Sequence, residues 1–263
     1  MKIHIKNQEE IKKIKISSKL ASEVLEMISE YMTVNTNLEK INKICHKHII
    51  EKQNAIPACL GYRGYPKSIC ISINDVVCHG IPNKKQYLKE GDIANVDITI
   101  LKNGYYGDTS KMFFIGKIKE TAKKLCEITK KSLYLTFKKI KPGIPINIIG
   151  KTIEQETKKS GFSIVKEYCG HGIGKNFHEE PQILHYYNRY QNTLLQENMV
   201  FTIEPMINEG KSYVKLMKDN WTVKTQDKSL SAQYEHTILV TKTGCKILTK
   251  RKKEKIPYEF NNI

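Results

Sequence analysis

The sequence predicts an α+β protein on three observations. Helical and strand periodicities come in separate blocks, one strand pair is closed by a two-residue turn signal, and the block order of the first half returns in the second. Residues 8–31 place Ile11, Ile14, Ala21, Val24, Leu25 and Ile28 on helical spacing, and a second helix is expected over about 37–52. Short β segments punctuated by Gly and Pro follow in NAIPACLGYRGYPKSICISINDVVCHGIP. In ANVDITILKNGYYGDTS, residues 94–110, Ala94, Val96, Ile98 and Ile100 alternate with Asn95, Asp97 and Thr99, the period of a half-buried strand. Asn103-Gly104 tolerates the positive φ of a type I′ turn, so cross-strand partners sum to 207: Asp97 faces Ser110 and Thr99 faces Asp108. Helical spacing resumes at 119–140, KPGIP breaks it, and a further helix covers about 146–160. CGHGIGKNFHEEP, a strand around MVFTIEPMI and a last strand pair near WTVKT and AQYEHTILVT complete the chain. An HGI tripeptide occurs once in each half, at His79 and His171, and no low-complexity linker divides them, so residues 1–263 read as a single domain of two related halves around a shared sheet.

Composition excludes several classes. No apolar run approaches the roughly 18 residues of a membrane span, and the start MKIHIKNQEEIKKIK lacks the apolar core of a secretory signal. Seven cysteines, none in a C-x-x-C pair, read as free thiols of a reducing cytoplasm. The net charge of +17 comes from 44 basic residues of which only Arg63, Arg189 and Arg251 are arginine. Recognition of specific DNA would call for Arg forks, so the excess of lysine reads as codon drift with at most loose attraction to polyanions. The one dense cluster, KRKKEK at 250–255, reads as a solvated terminus.

The chemistry lies in the acids and histidines. The hairpin register puts Asp97 and Asp108 on one face as diagonal neighbours, where their charges repel unless a cation lies between them or one takes a proton. Glu204, in the apolar run VFTIEPM, and Glu235, in SAQYEHTILV, are costly in strands without a partner. Gln233 and Thr237 share the face of Glu235, while Tyr234, Ile238 and Val240 take the other. His171 sits among glycines in GHGIG, His178 follows in FHEEP, and His79 stands in CHGIP. Carboxylates with imidazole suit divalent metals, and a metal pair needs about five ligands. The nucleophile elbow G-x-S-x-G, the phosphate loop and H-E-x-x-H are all absent from the sequence.

Together GDIANVDIT, GYYGDTSKMF, GHGIGKNFHEEP, FTIEPM and AQYEHTILV resemble, in order and spacing, the signature segments of type I methionine aminopeptidases, over nearly the whole chain. The resemblance implies a pita-bread fold: two pseudo-symmetric halves whose antiparallel sheet is covered by helices on one face. It implies two divalent ions (Co, Fe, Mn, Zn or Ni) on Asp97, Asp108, His171, Glu204 and Glu235. Their +4 would balance the four carboxylates and answer the repulsion at the hairpin. Glu204 would also serve as general base, His178 would stabilise the oxyanion, and His79 would contact the scissile nitrogen or leaving amine. Cys59, Tyr62, Tyr65, Cys70, Phe177 and Trp221 match the family's pocket for the first side chain. The activity implied is removal of the initiator methionine from nascent polypeptides when the second residue is small. A cytoplasmic monomer with no membrane contact is expected, with transient ribosome association through the basic surface. No cysteine pairs precede the catalytic region, and Glu204 follows His178 by only 26 positions, both in keeping with the short bacterial-style form. Two alternatives are a proline-specific aminopeptidase of the same fold and a pita-bread binding protein without catalysis.

Overall fold

The computed structural model describes residues 3–252 and 254. Helix α1 (Gln8–Ile28) opens with a reciprocal cap: Asn7 accepts from the Glu10 amide while the Glu10 carboxylate accepts from the Asn7 amide. Its buried stripe is the expected one, and a 3₁₀ turn extends it to Tyr31. Helix α2 (Leu38–Lys47) is capped by Asn37 and widens into a π-turn over His48–Lys52. The strands that follow are β1 (Ile56–Pro57), β2 (Cys70–Ile73), β3 (Val76–Cys78), β4 (Ile93–Lys102) and β5 (Tyr105–Phe114). Helices α3 (Glu120–Phe137) and α4 (Ile148–Lys159) begin the second half. Behind them come β6 (Ser163–Ile164), β7 (Gly170–Gly172), β8 (Glu179–Ile183), β9 (Val200–Ile203) and β10 (Met206–Asn208). The last strands are β11 (Val214–Leu216), β12 (Val223–Thr225), β13 (Ser231–Gln233), β14 (His236–Val240) and β15 (Cys245–Ile247).

Among the described residues every strand pairing is antiparallel, and each half pairs its own main sheet with its own two helices. In the first, β4 carries β1, β2 and β5, and α1 and α2 bury Val24, Leu25, Ile28, Ile41 and Cys45 against Val96, Ile98 and Ile100. In the second, the order β15-β14-β9-β7-β8 is covered by α3 and α4, with Leu133, Tyr134, Phe137, Ile149 and Ile153 packed on Phe201, Ile203, Ile238 and Val240. This is the pita-bread arrangement. α1 lies so close on β5 that a Cβ at Gly107 would stand 2.2 Å from the Ser18 amide nitrogen.

The hairpin register is the one read from the sequence, with Asp97 opposite Ser110 and Thr99 opposite Asp108; Asn103 and Gly104 turn at φ 54° and 77°. Other expectations are corrected. MVFTIEPMI and AQYEHTILVT are not continuous strands: each breaks in the middle, β9 and β14 pairing in the large sheet and β10 and β13 in a small one. Pro205 has no amide proton for a ladder, which ends β9 at Ile203. WTVKT does not pair with AQYEHTILVT; β12 lies between β11 and β3. Within KRKKEK, Lys253 and Lys255 lie outside the described residues, but Arg251 is buried at 5% exposure, against the expected solvated terminus.

Candidate metal centre and active site

Two chains cross side by side from the large sheet to the small one. Ile203 pairs with His236 and Met206 with Gln233, leaving Glu204-Pro205 opposite Tyr234-Glu235 in the crossing. Both glutamates leave the chain at this shared bend. The sequence alternation survives around it: Tyr234, Ile238 and Val240 enter the helix-covered core, whereas the Gln233 side chain donates to Glu204 Oε2 and Thr237 Oγ1 bonds the Asp108 carbonyl oxygen.

Asp97 and Asp108 arrive from the hairpin, and both line the same cavity. His171 arrives from β7, where Gly170 and Gly172 let the neighbouring backbones close in; a Cβ on either would lie 2.2–2.3 Å from a carbonyl oxygen. His171 Nδ1 donates to the Gly172 carbonyl at 3.0 Å, which fixes the tautomer and leaves Nε2 free to accept. That Nε2 stands 3.7 Å from Glu204 Oε1 and 3.9 Å from Asp108 Oδ2. Donor atoms of Asp108, His171 and Glu235 all lie within 4.8 Å of one another. Thus all five residues singled out in the sequence face one cavity of about 360 Å³.

The electrostatics of this cluster fit divalent cations. Burial is the chief cause that raises all four carboxyl pKa values, reinforced by mutual repulsion at Asp108, Glu204 and Glu235. Glu204 is pushed up to about 8 and Asp97 to about 7. Among the described residues no lysine or arginine pairs with any of the four, and Asp97 Oδ1 is buried without a hydrogen-bond partner. A buried, unsatisfied carboxylate oxygen beside three more acids and an imidazole lone pair is the donor set of a hard or borderline metal. Asp97, Asp108, His171, Glu204 and Glu235 would hold it.

Two neutral imidazoles, His79 and His178, stand around this centre, and the His171 imidazole within it is neutral too. Burial first, then the nearby His171, holds His178 down to about 3, and burial holds His79 and His171 at about 4. Tyr62 bonds His178 Nδ1 through its hydroxyl at 2.8 Å, and the rings stack at 5.3 Å. His79 is held at φ 55°, edge-on to Trp221 and Tyr168. Cys59, Tyr65, Cys70 and Phe177 form one buried cluster with Tyr62 and Trp221 at its rim, so the six pocket residues expected from the sequence come together. Tyr65 is locked there by its hydroxyl, whose one proton lies between the Gly80 carbonyl at 2.9 Å and the Ile69 carbonyl at 3.2 Å.

The sequence reading missed several contributors. Arg63, Glu167, Tyr168, Cys169 and Met206 also line the cavity. His185 is fully buried and accepts the Glu204 amide on Nε2 at 3.1 Å. Thr202 donates to Glu204 Oε1 at 2.8 Å, and the buried Lys6 pairs with Glu179 beneath the loop that bears Phe177 and His178. Only Thr202 carried a sequence signal, two residues before Glu204 on the same strand face.

Comparison with known proteins agrees with this geometry. Residues 12–242 match the profile of the family described as Metallopeptidase family M24. The chain is 61% identical over 259 residues to the methionine aminopeptidase of Buchnera aphidicola subsp. Acyrthosiphon pisum, covering 98% of each. It is 55% identical over 257 residues to that of Escherichia coli K12, covering 98% of this chain and 97% of the other. The crystal structure of methionine aminopeptidase from Rickettsia prowazekii superposes with a TM-score of 0.92 at 45% identity, over 95% of this chain and all of that one. With the family matched over most of its length, the chain belongs to the M24 metallopeptidases.

Proposed function

We propose that this chain is a methionine aminopeptidase that removes the N-terminal methionine from newly made polypeptides, with a preference for a small second residue. The observation that carries the reading is the cavity itself, which joins a four-carboxylate, one-histidine cluster to a pocket of sulfur and aromatic atoms. A methionine side chain is long, apolar and polarizable, and such walls suit it. The free N-terminus then reaches the acids, while the second residue must pass the rim formed by Tyr62, Arg63 and His178.

Two divalent ions on the five residues would supply Lewis-acid charge and lower the pKa of water at the scissile bond. The protein's own groups do the rest. Glu204, whose two oxygens accept from Thr202 and Gln233, is placed to take a proton and pass it to the leaving amine. With the Tyr62 hydroxyl donating a hydrogen bond to Nδ1, the neutral His178 carries its proton on Nε2, available to the carbonyl oxygen as negative charge develops. His79, neutral and wedged between Trp221 and Tyr168, presents a hydrogen bond to the scissile nitrogen.

The test is elemental analysis of the purified protein, then turnover of a Met-Gly-Met peptide before chelation, after chelation and after metal is restored. Loss and recovery of methionine release support the reading; release that survives chelation overturns it. A proline-specific activity would appear as turnover of X-Pro peptides instead, and a pure binding role as metal without turnover. We place the protein in the cytoplasm as a monomer, and its +17 charge favours transient contact with ribosomal RNA. Co-sedimentation with ribosomes at low but not high salt is the expected result.

A further inference from the structure

The guanidinium of Arg251 is the end of a hydrogen-bond chain that leads to the metal-ligand positions from behind. Its Nη1 donates to Thr109 Oγ1 at 3.1 Å, and Thr109 donates in turn to the Glu235 carbonyl at 2.8 Å. The direction is forced. Arginine can only donate, so Thr109 must accept from it, and the single hydroxyl proton of Thr109 is committed to Glu235. The Glu235 amide donates to the Ser110 carbonyl at 3.2 Å, so the Glu235 backbone is held on both sides by residues that directly follow Asp108. Arg251 Nη2 also reaches His236 Nε2 at 3.2 Å and Glu254 Oε1 at 2.5 Å, while His236 Nδ1 bonds Thr249 Oγ1 at 2.8 Å.

We propose that Arg251 is a positioning residue for the metal centre, fixing the separation of Asp108 and Glu235 through Thr109. This rests on the five-residue metal reading above. The two acids come from opposite halves of the fold, β5 and the residue just before β14, so slack in this link changes the distance between ligands and not only the height of a loop. Arginine is used three times in a chain of 44 basic residues, and here one fork serves three acceptors in different directions. A lysine ammonium is a compact charge on a flexible stem and does not reproduce that planar fork.

The test is Co²⁺ titration of metal-free protein by calorimetry, run on wild type, T109V, the neutralised pair R251Q/E254Q, and the triple variant. Losing both Arg251 and Glu254 charges leaves no unpaired buried ion, so the double variant keeps the metal-free unfolding midpoint near that of wild type. Its Co²⁺ affinity nevertheless falls at least tenfold, T109V falls similarly, and the triple variant is no weaker than T109V. On a Met-Ala peptide, kcat drops while KM stays within twofold. A purely structural role gives a different pattern: in an R251Q/E254Q variant of wild-type stability, affinity and kcat also stay at wild-type values, which overturns the proposal. T109V alone also decides it, since wild-type affinity in that variant overturns the relay even if R251Q/E254Q misfolds. A wild type that takes up no Co²⁺ overturns both this and the metal reading, whereas a competent wild type with indifferent variants overturns this inference alone.

Discussion

Replacing Glu204 by Gln should abolish metal-dependent turnover and yet make the metal-free protein more stable. In the folded chain burial, with Asp97 nearby, raises the Glu204 pKa from 4.5 to about 8, against the opposing hydrogen bond from Thr202. A carboxyl raised in this way favours the folded state fully below pH 4.5. That favour is lost as the pH climbs through the folded value, because the unfolded chain ionises first. At pH 7.5 the folded group still holds its proton against three units of pH, a penalty of roughly 4 kcal/mol at about 1.4 kcal/mol per unit. A buried amide carries its own desolvation cost of about 1–2 kcal/mol, which leaves a net gain of about 2–3 kcal/mol. Geometry does not cancel this gain. The Gln oxygen can keep the Thr202 hydroxyl, and Gln233, whose Oε1 has no partner, can flip its amide to receive the new NH₂. The assay is urea unfolding of chelated wild type and variant at pH 5 and 7.5. The variant should be no more stable than wild type at pH 5, where the relieved penalty is below the amide's own cost, and should gain most at pH 7.5. A variant less stable than wild type at pH 7.5, or an advantage independent of pH, refutes the account of the site as a cluster of mutually destabilising buried acids.

Other outcomes follow from the same geometry. His79→Ala should lower kcat by about 100-fold or more with metal content unchanged on elemental analysis; equal loss of both would mean that His79 acts on the metals instead. In a Met-X peptide series, Met-Ala should be cleaved well and Met-Phe poorly, and equal turnover would exclude a restrictive rim at Tyr62 and His178. His185→Leu removes the acceptor for the Glu204 amide and should cost about 1–3 kcal/mol in denaturant unfolding, part of which His185→Gln restores; no loss in the Leu variant would show that water replaces the imidazole.

What could be read from the sequence was what is local. The hairpin register followed from a period of two and a turn dipeptide with its own φ requirement, and that register alone put Asp97 and Asp108 together. The helices followed from apolar spacing, down to the buried set of α1. What could not be read depended on partners distant in the chain. VFTIEPM looked like one strand because its apolar run is continuous; only Pro205 marked the point where the chain changes sheets. Arg251 looked solvated because five of its neighbours in KRKKEK are charged, and what buries it is a set of acceptors, Thr109 and His236 among them, that only the fold supplies. His185 had no periodic or motif signal, since its role is to meet a backbone amide 19 residues away.

The change of sheet at Glu204 and Glu235 also explains why two acids can stand in the middle of apolar strands. Within a regular ladder each amide is bonded to the neighbouring strand, and a side chain can only alternate between core and solvent. At the crossing both glutamates leave the ladder, and their amides would be orphans in a buried place. One is accepted by His185 Nε2 and the other by the Ser110 carbonyl, while Pro205 has none to satisfy. The amides of both glutamates are therefore bonded at the bend, and the two carboxylates are free to point into the cavity rather than along a sheet face. A bend bonded in this way is stiff, and stiffness is what four clustered acids require if repulsion is not to spread them apart before cations arrive. His185 and Ser110 therefore belong to the chemistry as much as to the fold. They convert an interruption of two strands, which would otherwise be the weakest part of the sheet, into the fixed point from which Glu204 and Glu235 act.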